Sequence, residues 1–186
     1  MKVLFILGSP IRNGNTATLL HMYDKGFMER QPGSEITEIF LQEKKIQGCS
    51  ACMSCDLGKI KHCVIKDDMT EIYNLFEEAN ILVFATPIYF FSMTAQLKAF
   101  IDRLYAVPFE KWRGKKIVLL MTYGGDDEGD SGAVNLVGIM EYLANYTKTD
   151  LVQVYGVSTK MRPDAVADND KALNDVYELG RRVLTV

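Results

Sequence analysis

The sequence predicts an α/β protein built on a five-stranded parallel sheet with helices on both faces. Two observations lead to this prediction. Short, continuously apolar runs recur along the chain, as expected of strands that are buried on both faces, and segments with apolar residues at helical spacing separate them. Strands that alternate with helices form parallel sheets, because each helix carries the chain back to the starting edge of the sheet.

The first half of the chain contains three predicted strands and two predicted helices. Residues 3–7 are all apolar and form the first strand, and apolar residues at helical spacing follow over residues 16–27. The alternating segment at residues 36–41 is typical of a second strand. Residues 68–71 (DMTE) have the form of a capping box, which predicts the start of a helix. The apolar run at residues 81–85 predicts the third strand.

The second half continues the alternation. Apolar residues at i, i+3, i+4 and i+7 predict a helix over residues 97–104, and the run KIVLLMT at residues 116–122 predicts the fourth strand. A further helix is expected at about residues 131–146. The fifth strand is predicted at residues 151–157 and a terminal helix at residues 169–184.

Length and composition indicate one globular domain that spans residues 1–186. The chain is 48% hydrophobic and 24% charged, as in ordinary folded proteins. Its 21 basic and 24 acidic residues give a net charge of −3, which provides no positive surface for nucleic acid or an anionic membrane. No apolar run approaches the ~20 residues that span a bilayer. We therefore expect a cytoplasmic protein with no nucleic-acid or membrane partner.

The loop after the first strand has the composition of a phosphate-binding loop. Residues 8–16 read GSPIRNGNT and lead into a helix, whose first N–H groups attract anions. Ser9, Asn15 and Thr16 can add side-chain donors, and Arg12 can add positive charge. The spacing fits neither a Walker A loop nor the G-x-G-x-x-G dinucleotide motif. A plain strand–helix turn with good capping residues is the alternative.

The loops after the third and fourth strands favour a flat ligand. Consecutive aromatic residues at 89–91 follow the third strand, and they suit a flat, partly apolar molecule, although they could instead fill the core or a dimer interface. Gly124 and Gly125 follow the fourth strand and allow close backbone approach. The acidic residues 126–130 are more typical of a solvated loop than of a metal site. Ligands bind beyond the carboxyl ends of such strands, so these loops are expected to form one site.

These three loops together resemble the flavodoxin-like NAD(P)H-dependent FMN reductase family. The matching pieces are GSPIRNGNT, ATPIYFFSMTAQLKAFIDR and TYGG, in family order, and the resemblance covers the chain from residue 2 to about residue 146. It implies a sheet of order 2-1-3-4-5, non-covalently bound FMN and NAD(P)H as co-substrate. It also implies that Ser9, Arg12, Asn13, Asn15 and Thr16 hold the FMN phosphate, that Pro87, Ile88, Tyr89 and Phe90 line the isoalloxazine ring, and that Tyr123, Gly124 and Gly125 approach its pyrimidine end.

All four cysteines lie in a Cys-rich loop at residues 47–66, inserted after the second strand. Cys49, Cys52, Cys55 and Cys63 follow the pattern C-x2-C-x2-C-x7-C. Four thiolates in one loop can hold a [4Fe–4S] cluster or tetrahedral zinc, and metal-free packed cysteines are the third alternative. Disulfides are not expected in a cytoplasmic protein. The motif narrows the resemblance to iron–sulfur flavoproteins, which are similar to one another in being dimers or dimers of dimers.

Several further residues receive simpler interpretations. His21 is expected at the surface and Trp112 in a core or interface, while Asp102 and Arg103, at the end of one helix, are expected to form an ion pair. His62 precedes a cysteine and is a minor candidate as a metal ligand. The sequence contains no evident Ser–His–Asp or paired-carboxylate arrangement, so hydrolysis is not supported.

The sequence therefore predicts an FMN-dependent oxidoreductase. Electrons are expected to pass from NAD(P)H, or from a redox partner such as ferredoxin, through FMN to an acceptor such as a quinone, with or without a [4Fe–4S] cluster. The flavin carries the chemistry, so no catalytic side chain is assigned, and the backbone N–H groups of Gly124 and Gly125 are expected to stabilise negative charge on the ring. A homodimer or homotetramer is expected from the resemblance.

Two alternatives from other functional classes remain at this point. A flavodoxin-type electron carrier would bind FMN without being an enzyme, but such carriers tend to be strongly acidic, and the net charge here is only −3. A zinc-stabilised binding module would use the cysteines without a flavin, and the aromatic loop after the third strand argues against it.

Overall fold

A five-stranded parallel sheet forms the centre of the protein, as a computed structural model of residues 1–58, 60–182 and 184 shows. The strand order is 2-1-3-4-5, as expected. Each neighbouring pair is parallel, so the five carboxyl ends lie at one edge of the sheet. The strands are β1 (Lys2–Leu7), β2 (Glu35–Phe40), β3 (Ile81–Pro87), β4 (Lys116–Tyr123) and β5 (Asp150–Ser158).

Helices cover both faces of the sheet. One face packs against the first and last helices, and the other packs against the second, third and fifth. The predicted terminal helix ends at residue 181 rather than 184, and residues 183, 185 and 186 lie outside the described part of the chain. The helices are α1 (Asn15–Arg30), α2 (Met69–Glu78), α3 (Ala95–Arg103), α4 (Glu128–Ser131), α5 (Ala133–Thr147) and α6 (Asp170–Arg181).

The continuous apolar runs reflect this two-sided burial. In β1, Val3 and Phe5 face the core that contains α1 and α6, whereas Leu4 and Ile6 face the core that contains α2, α3 and α5. All four side chains are buried. A strand covered on both faces must be apolar at every position, which is why the usual alternation is lost.

The capping box predicted at the start of α2 does not form, although the helix begins at Met69. Asp68 already has helical backbone angles (φ −62°, ψ −16°), whereas a side-chain cap requires an extended residue. Its carboxylate instead accepts the N–H of Lys45 at 2.8 Å. The preceding residue, Asp67, accepts the N–H of Met69 at 3.1 Å.

Two further side chains lie where the sequence predicts them. Trp112 is buried and packs edge-on against Phe76, with 4.5 Å between the ring centroids. His21 is exposed on α1 and lies 3.0 Å from a carboxylate oxygen of Glu38.

Among the described residues, no helix combines the length and apolar character needed to cross a membrane.

Candidate functional site

Loops from four strands converge on one cavity at the carboxyl edge of the sheet. This carboxyl-edge pocket has a volume of about 410 Å³. It extends from the start of α1 to the end of β4, between the loops that follow β3 and β5. Its lining residues are Ser9, Ile11, Asn13, Gly14, Asn15, Thr16, Pro87, Ile88, Tyr89, Thr122, Tyr123, Gly124, Thr159, Met161, Arg162, Pro163 and Asp164.

The loop after β1 is held by its own polar groups. The buried Ser9 hydroxyl accepts the N–H of Ile11 at 3.1 Å, and the N–H of Gly8 donates to the carbonyl of Ala85 at 2.7 Å. Gly14 precedes α1 and provides no side-chain cap, so the first N–H groups of the helix have no partner within it. These groups carry partial positive charge at the floor of the pocket.

Arg12 does not line this pocket, contrary to the sequence expectation. Its guanidinium forms an ion pair with Glu43 and lies over the ring of Phe40, 4.5 Å from the centroid. Both contacts draw the side chain towards the segment after β2 and away from α1. A pairing across 31 residues of sequence cannot be read from the loop composition alone.

Asn15 lines the pocket, but its side chain already joins two loops. The amide nitrogen donates to the carbonyl of Arg162 at 2.7 Å, and the amide oxygen accepts the N–H of Val166 at 2.9 Å. Asn15 therefore fastens the loop between β5 and α6 to the start of α1. The sequence analysis did not include the loop between β5 and α6 in the site. The segment that follows a fifth parallel strand must nevertheless also lie at the carboxyl edge of the sheet.

The loop after β3 brings Pro87, Ile88 and Tyr89 to the pocket and turns Phe90 away from it. The N–H of Ile88 donates to the carbonyl of Thr122 at 2.8 Å, which ties this loop to β4. A tight turn then follows, and its central residues Phe90 and Phe91 have φ angles of 49° and 69°. The Phe90 side chain is 97% exposed and does not line the pocket, so its predicted place against a ring is not observed.

The two glycines after β4 have different surroundings. Gly124 lines the pocket, and a Cβ atom there would overlap the sulfur of Met161. Gly125 does not line it. A Cβ atom on Gly125 would lie 2.7 Å from Asp130, and its carbonyl accepts the hydroxyl of Ser158. Of the predicted pair, only Gly124 is in place to contact a ligand.

A buried pair of hydroxyls forms part of the floor of the pocket. Thr16, at the start of α1, and Thr122, near the end of β4, lie 2.7 Å apart through their Oγ1 atoms. Both residues are buried. Next to them, burial raises the pKa of the Tyr123 hydroxyl further above its ordinary value, and the neutral hydroxyl can act as a hydrogen-bond donor.

The four cysteines are free thiols around a second, much smaller pocket of about 40 Å³. This donor set suits a four-thiolate ligand site, although the described residues contain no group of three or more His, Cys, Asp or Glu side chains that could hold a metal ion. The N–H of Ser54, followed by its hydroxyl, lowers the pKa of the Cys52 thiol, whereas burial raises the pKa of the Cys55 thiol.

The neck of the Cys-rich loop is clamped by one buried ion pair. Arg103, the last residue of α3, makes two hydrogen bonds to the carboxylate of Asp67, at 2.6 and 3.1 Å. It also donates to the carbonyls of Gln47, at 2.9 Å, and Ile65, at 3.3 Å. These acceptors lie at the two ends of the loop, so Arg103 holds both ends together. The residues at the end of this helix therefore form ion pairs with other partners, Arg103 with Asp67 and Asp102 with Lys98.

His62 is engaged outside the cysteine pocket. Its Nε2 atom lies 2.6 Å from a carboxylate oxygen of Glu77, and its ring stacks on Tyr73 with 4.7 Å between centroids. The residue does not line the pocket formed by the cysteines. It therefore contributes to packing between the Cys-rich loop and α2.

An apolar cavity of about 370 Å³ lies beside the cysteine pocket, between the carboxyl end of α3 and α5. Cys49 and Tyr105 line both spaces. Trp112 and Leu143 contribute to its apolar wall. The cavity shares no lining residue with the carboxyl-edge pocket.

Comparison with known proteins establishes the family. A sequence profile of the NADPH-dependent FMN reductases matches residues 1–154. The chain belongs to this family. It is accordingly an FMN-binding flavoprotein and an oxidoreductase. An iron–sulfur flavoprotein of Archaeoglobus fulgidus is 33% identical over 186 residues, which cover 98% of this chain and 79% of that protein.

Two solved structures of other proteins have the same fold. An azoreductase of Bacillus anthracis is similar with a TM-score of 0.75 and 17% identity, over 97% of this chain and 99% of that one. An NAD(P)H:quinone oxidoreductase of Methanothermobacter marburgensis is similar with a TM-score of 0.66 and 18% identity, over 97% and 92% of the two chains. The flavodoxin-like fold of this FMN reductase family member is thereby confirmed.

Proposed function

We propose that the carboxyl-edge pocket is the FMN site. The observation that carries the proposal is the convergence of four loops on one cavity that begins at the start of α1 and ends at Gly124. Its volume of about 410 Å³ falls within the range of ~300–1,000 Å³ that is typical of cofactor pockets. The phosphate would lie at the start of α1, and the ring would lie between Tyr89 and Gly124.

At the phosphate end, backbone groups provide most of the recognition. The N–H groups at the start of α1 have no side-chain cap and would bind the anion, and Gly14 would leave room for it to approach. Ser9, Asn13 and Thr16 add polar side chains to the lining. Asn15 contributes by holding the two loops that border the phosphate position.

At the ring end, the chain offers apolar surface on one side and N–H groups on the other. Pro87, Ile88 and Tyr89 form the apolar wall, and Tyr89 is half-exposed, which leaves one face of a bound ring accessible. Gly124 lines the pocket at this end, and its N–H group would stabilise negative charge that develops on the ring. When bound, FMN supplies the hydride and electron chemistry, so the side chains need only hold and orient it.

The electron donor is proposed to be NAD(P)H, and the acceptor a small aromatic oxidant such as a quinone. Membership of the NADPH-dependent FMN reductase family supports the donor. The partly open, aromatic wall of the pocket supports a flat acceptor that occupies the same face after the nicotinamide has left. A quinone is also the substrate named for one similar structure.

The four cysteines are proposed to hold a [4Fe–4S] cluster, with ferredoxin as a one-electron partner. Cys49, Cys52, Cys55 and Cys63 border one pocket in a single loop, and four thiolates are the usual ligands of this cluster. The A. fulgidus relative is named an iron–sulfur flavoprotein. Tetrahedral zinc needs the same ligands and is the competing occupant. A homodimer or homotetramer is the proposed assembly.

Turnover in the presence of FMN tests the proposed activity. The FMN-loaded protein is expected to oxidise NADPH continuously with a quinone, and the flavin-free protein is expected to be inactive until FMN is added. Tyr89→Ala is expected to raise the Kd for FMN about 2–10-fold, because an aromatic contact contributes roughly 0.5–1.5 kcal/mol. Fluorescence titration of the flavin-free protein measures this affinity.

Tyr142→Ala is the matched control, since Tyr142 is 81% exposed on α5 and does not line the pocket. It should bind FMN as the unsubstituted protein does. Single-turnover reduction without steady-state quinone reduction would indicate an electron carrier instead of an enzyme. Equal FMN affinity in the Tyr89→Ala and Tyr142→Ala proteins would contradict the proposed ring position.

A further inference from the structure

The loop between β5 and α6 provides a positively charged residue to the carboxyl-edge pocket. We propose that this residue, Arg162, pairs with the phosphate of the bound flavin, a role that the sequence resemblance gives to Arg12. The inference rests on the proposed FMN site and adds to it the residue that distinguishes a flavin with a phosphate from one without.

Arg12 is held by more contacts than Arg162, although its ion pair with Glu43 is similarly exposed, at 50% and 60%. Its Nε atom donates to Glu43 at 3.1 Å, and a second nitrogen of the same guanidinium bonds to the other carboxylate oxygen. The guanidinium also lies flat over Phe40. Turning Arg12 towards the pocket would break both contacts, and a two-point guanidinium–carboxylate contact is one of the stronger surface pairings.

Arg162 lies where the phosphate is expected. Its carbonyl accepts a 2.7 Å hydrogen bond from Asn15, the first residue of α1. The backbone of Arg162 is therefore fixed beside the helix start whose N–H groups attract the anion. Arg162 lines the pocket together with Ser9 and Gly14, which border the same region.

The Arg162 side chain can turn inwards at small cost. Its ion-pair partner in the described structure is Asp168, at 2.7 Å, and the two side chains are 63% and 58% exposed. An ion pair this exposed to water contributes between about 0 and 1 kcal/mol. A phosphate at a helix start is a stronger partner, because it carries more charge and is partly shielded from water.

Asp164 must also be considered, because it is the other charged residue among the described lining residues. Its carboxylate would repel a phosphate placed near it. Arg162 is therefore needed to offset this charge as well as to bind the anion. This predicts opposite effects for the two residues, since loss of Arg162 should weaken phosphate binding and loss of Asp164 should strengthen it.

The test compares FMN with riboflavin, which has the same ring and ribityl chain but no phosphate. Arg162→Gln is expected to weaken FMN binding roughly 10–100-fold, the effect of losing a charge-assisted hydrogen bond, and to change riboflavin binding less than about 2-fold. Arg162→Lys should restore part of the FMN affinity. Asp164→Asn should tighten FMN binding about 2–5-fold. Fluorescence quenching during titration of flavin-free protein gives each Kd.

Arg12→Gln is the contrasting variant, and it should leave the ratio of FMN to riboflavin affinity unchanged. A loss of FMN affinity in Arg12→Gln but not in Arg162→Gln would overturn the proposal, as would equal weakening of both flavins by Arg162→Gln. Suppose instead that Arg162→Gln leaves the FMN affinity unchanged and raises the KM for NADPH but not the KM for NADH. This result would assign Arg162 to the phosphate of the nicotinamide cofactor and would also overturn the proposal. Failure of the unsubstituted protein to bind either flavin would instead contradict the FMN site itself.

Discussion

Asp67 is the residue on which the neck of the Cys-rich loop depends most. Its carboxylate accepts hydrogen bonds from Arg103 and from the N–H groups of Gln47 and Met69, so it joins α3, both sides of the neck and the start of α2. Burial alone would raise the pKa of Asp67, but the hydrogen bonds from Arg103, Gln47 and Met69 lower it below its usual value. The charged carboxylate is therefore the form that stabilises the fold.

Asp67→Asn is expected to lower the free energy of unfolding by about 3–5 kcal/mol at neutral pH, because it leaves the buried Arg103 without a charged partner. A carboxyl with a lowered pKa in the folded state contributes stability above its unfolded value of about 3.9, and that contribution is lost as the pH falls through the folded value. The difference between the two proteins should therefore shrink below about pH 4. Urea unfolding at several pH values measures it.

Asp102→Asn is the control for this prediction. Asp102 precedes Arg103 but forms an exposed i,i+4 pair with Lys98, and such pairs contribute less than about 1 kcal/mol. Its substitution should therefore change stability little at any pH. A loss of similar size in the Asp67 and Asp102 variants would show that the neck does not depend on the buried pair.

Two helices, α1 and α6, cross so closely that glycine is required on both. A Cβ atom on Gly26 of α1 would overlap the carbonyl of Tyr177, and one on Gly180 of α6 would overlap the carbonyl of Tyr23. This contact helps to fix the position of α6, and with it the end of the loop that includes Arg162. The close contact between the two helix backbones therefore helps to position a loop of the site, although it lies outside the site itself.

Gly26→Ala should force these helices apart and destabilise the protein by roughly 1–3 kcal/mol, as overpacking in a well-packed core does. Gly138→Ala on α5 is the matched control, because nothing lies within 4 Å of its added Cβ. This second change should stabilise the fold by about 0.5–1 kcal/mol through helix propensity. Thermal unfolding of both variants, followed by circular dichroism, compares the two effects. Equal stabilisation by both alanines would rule out the close crossing.

Individual elements could be predicted well where one kind of pattern dominates. The continuous apolar run of β1 needs no long-range information, because two-sided burial leaves a local signature. The prediction of a capping box at the start of α2 is wrong, because the Asp68 carboxylate instead accepts the N–H of Lys45, which lies in a distant segment. The turn at Phe90 and Phe91 could not be foreseen, because positive φ angles normally select glycine or asparagine.

At the scale of the whole molecule, the topology makes the location of the site predictable from the sequence. The partners of individual side chains in the site could not be predicted. Because all five strands are parallel, their following loops must meet at one edge, and nine of the predicted residues line the pocket there. Arg12 and Gly125 do not, because their partners, Glu43 and Ser158, lie far away in sequence. The contribution of the loop after β5 was missed for the same reason, since the hydrogen bond from Asn15 that holds it spans 147 residues.

The absorption spectrum of anaerobically purified protein, recorded before and after addition of NADPH, tests the central claim most directly. The account predicts flavin bands on a broad iron–sulfur shoulder, with the flavin bands bleached by NADPH. Cys52→Ser should lose the shoulder and keep the flavin bands, whereas Ser54→Ala should keep both. A colourless protein that takes up no FMN on incubation would contradict the account.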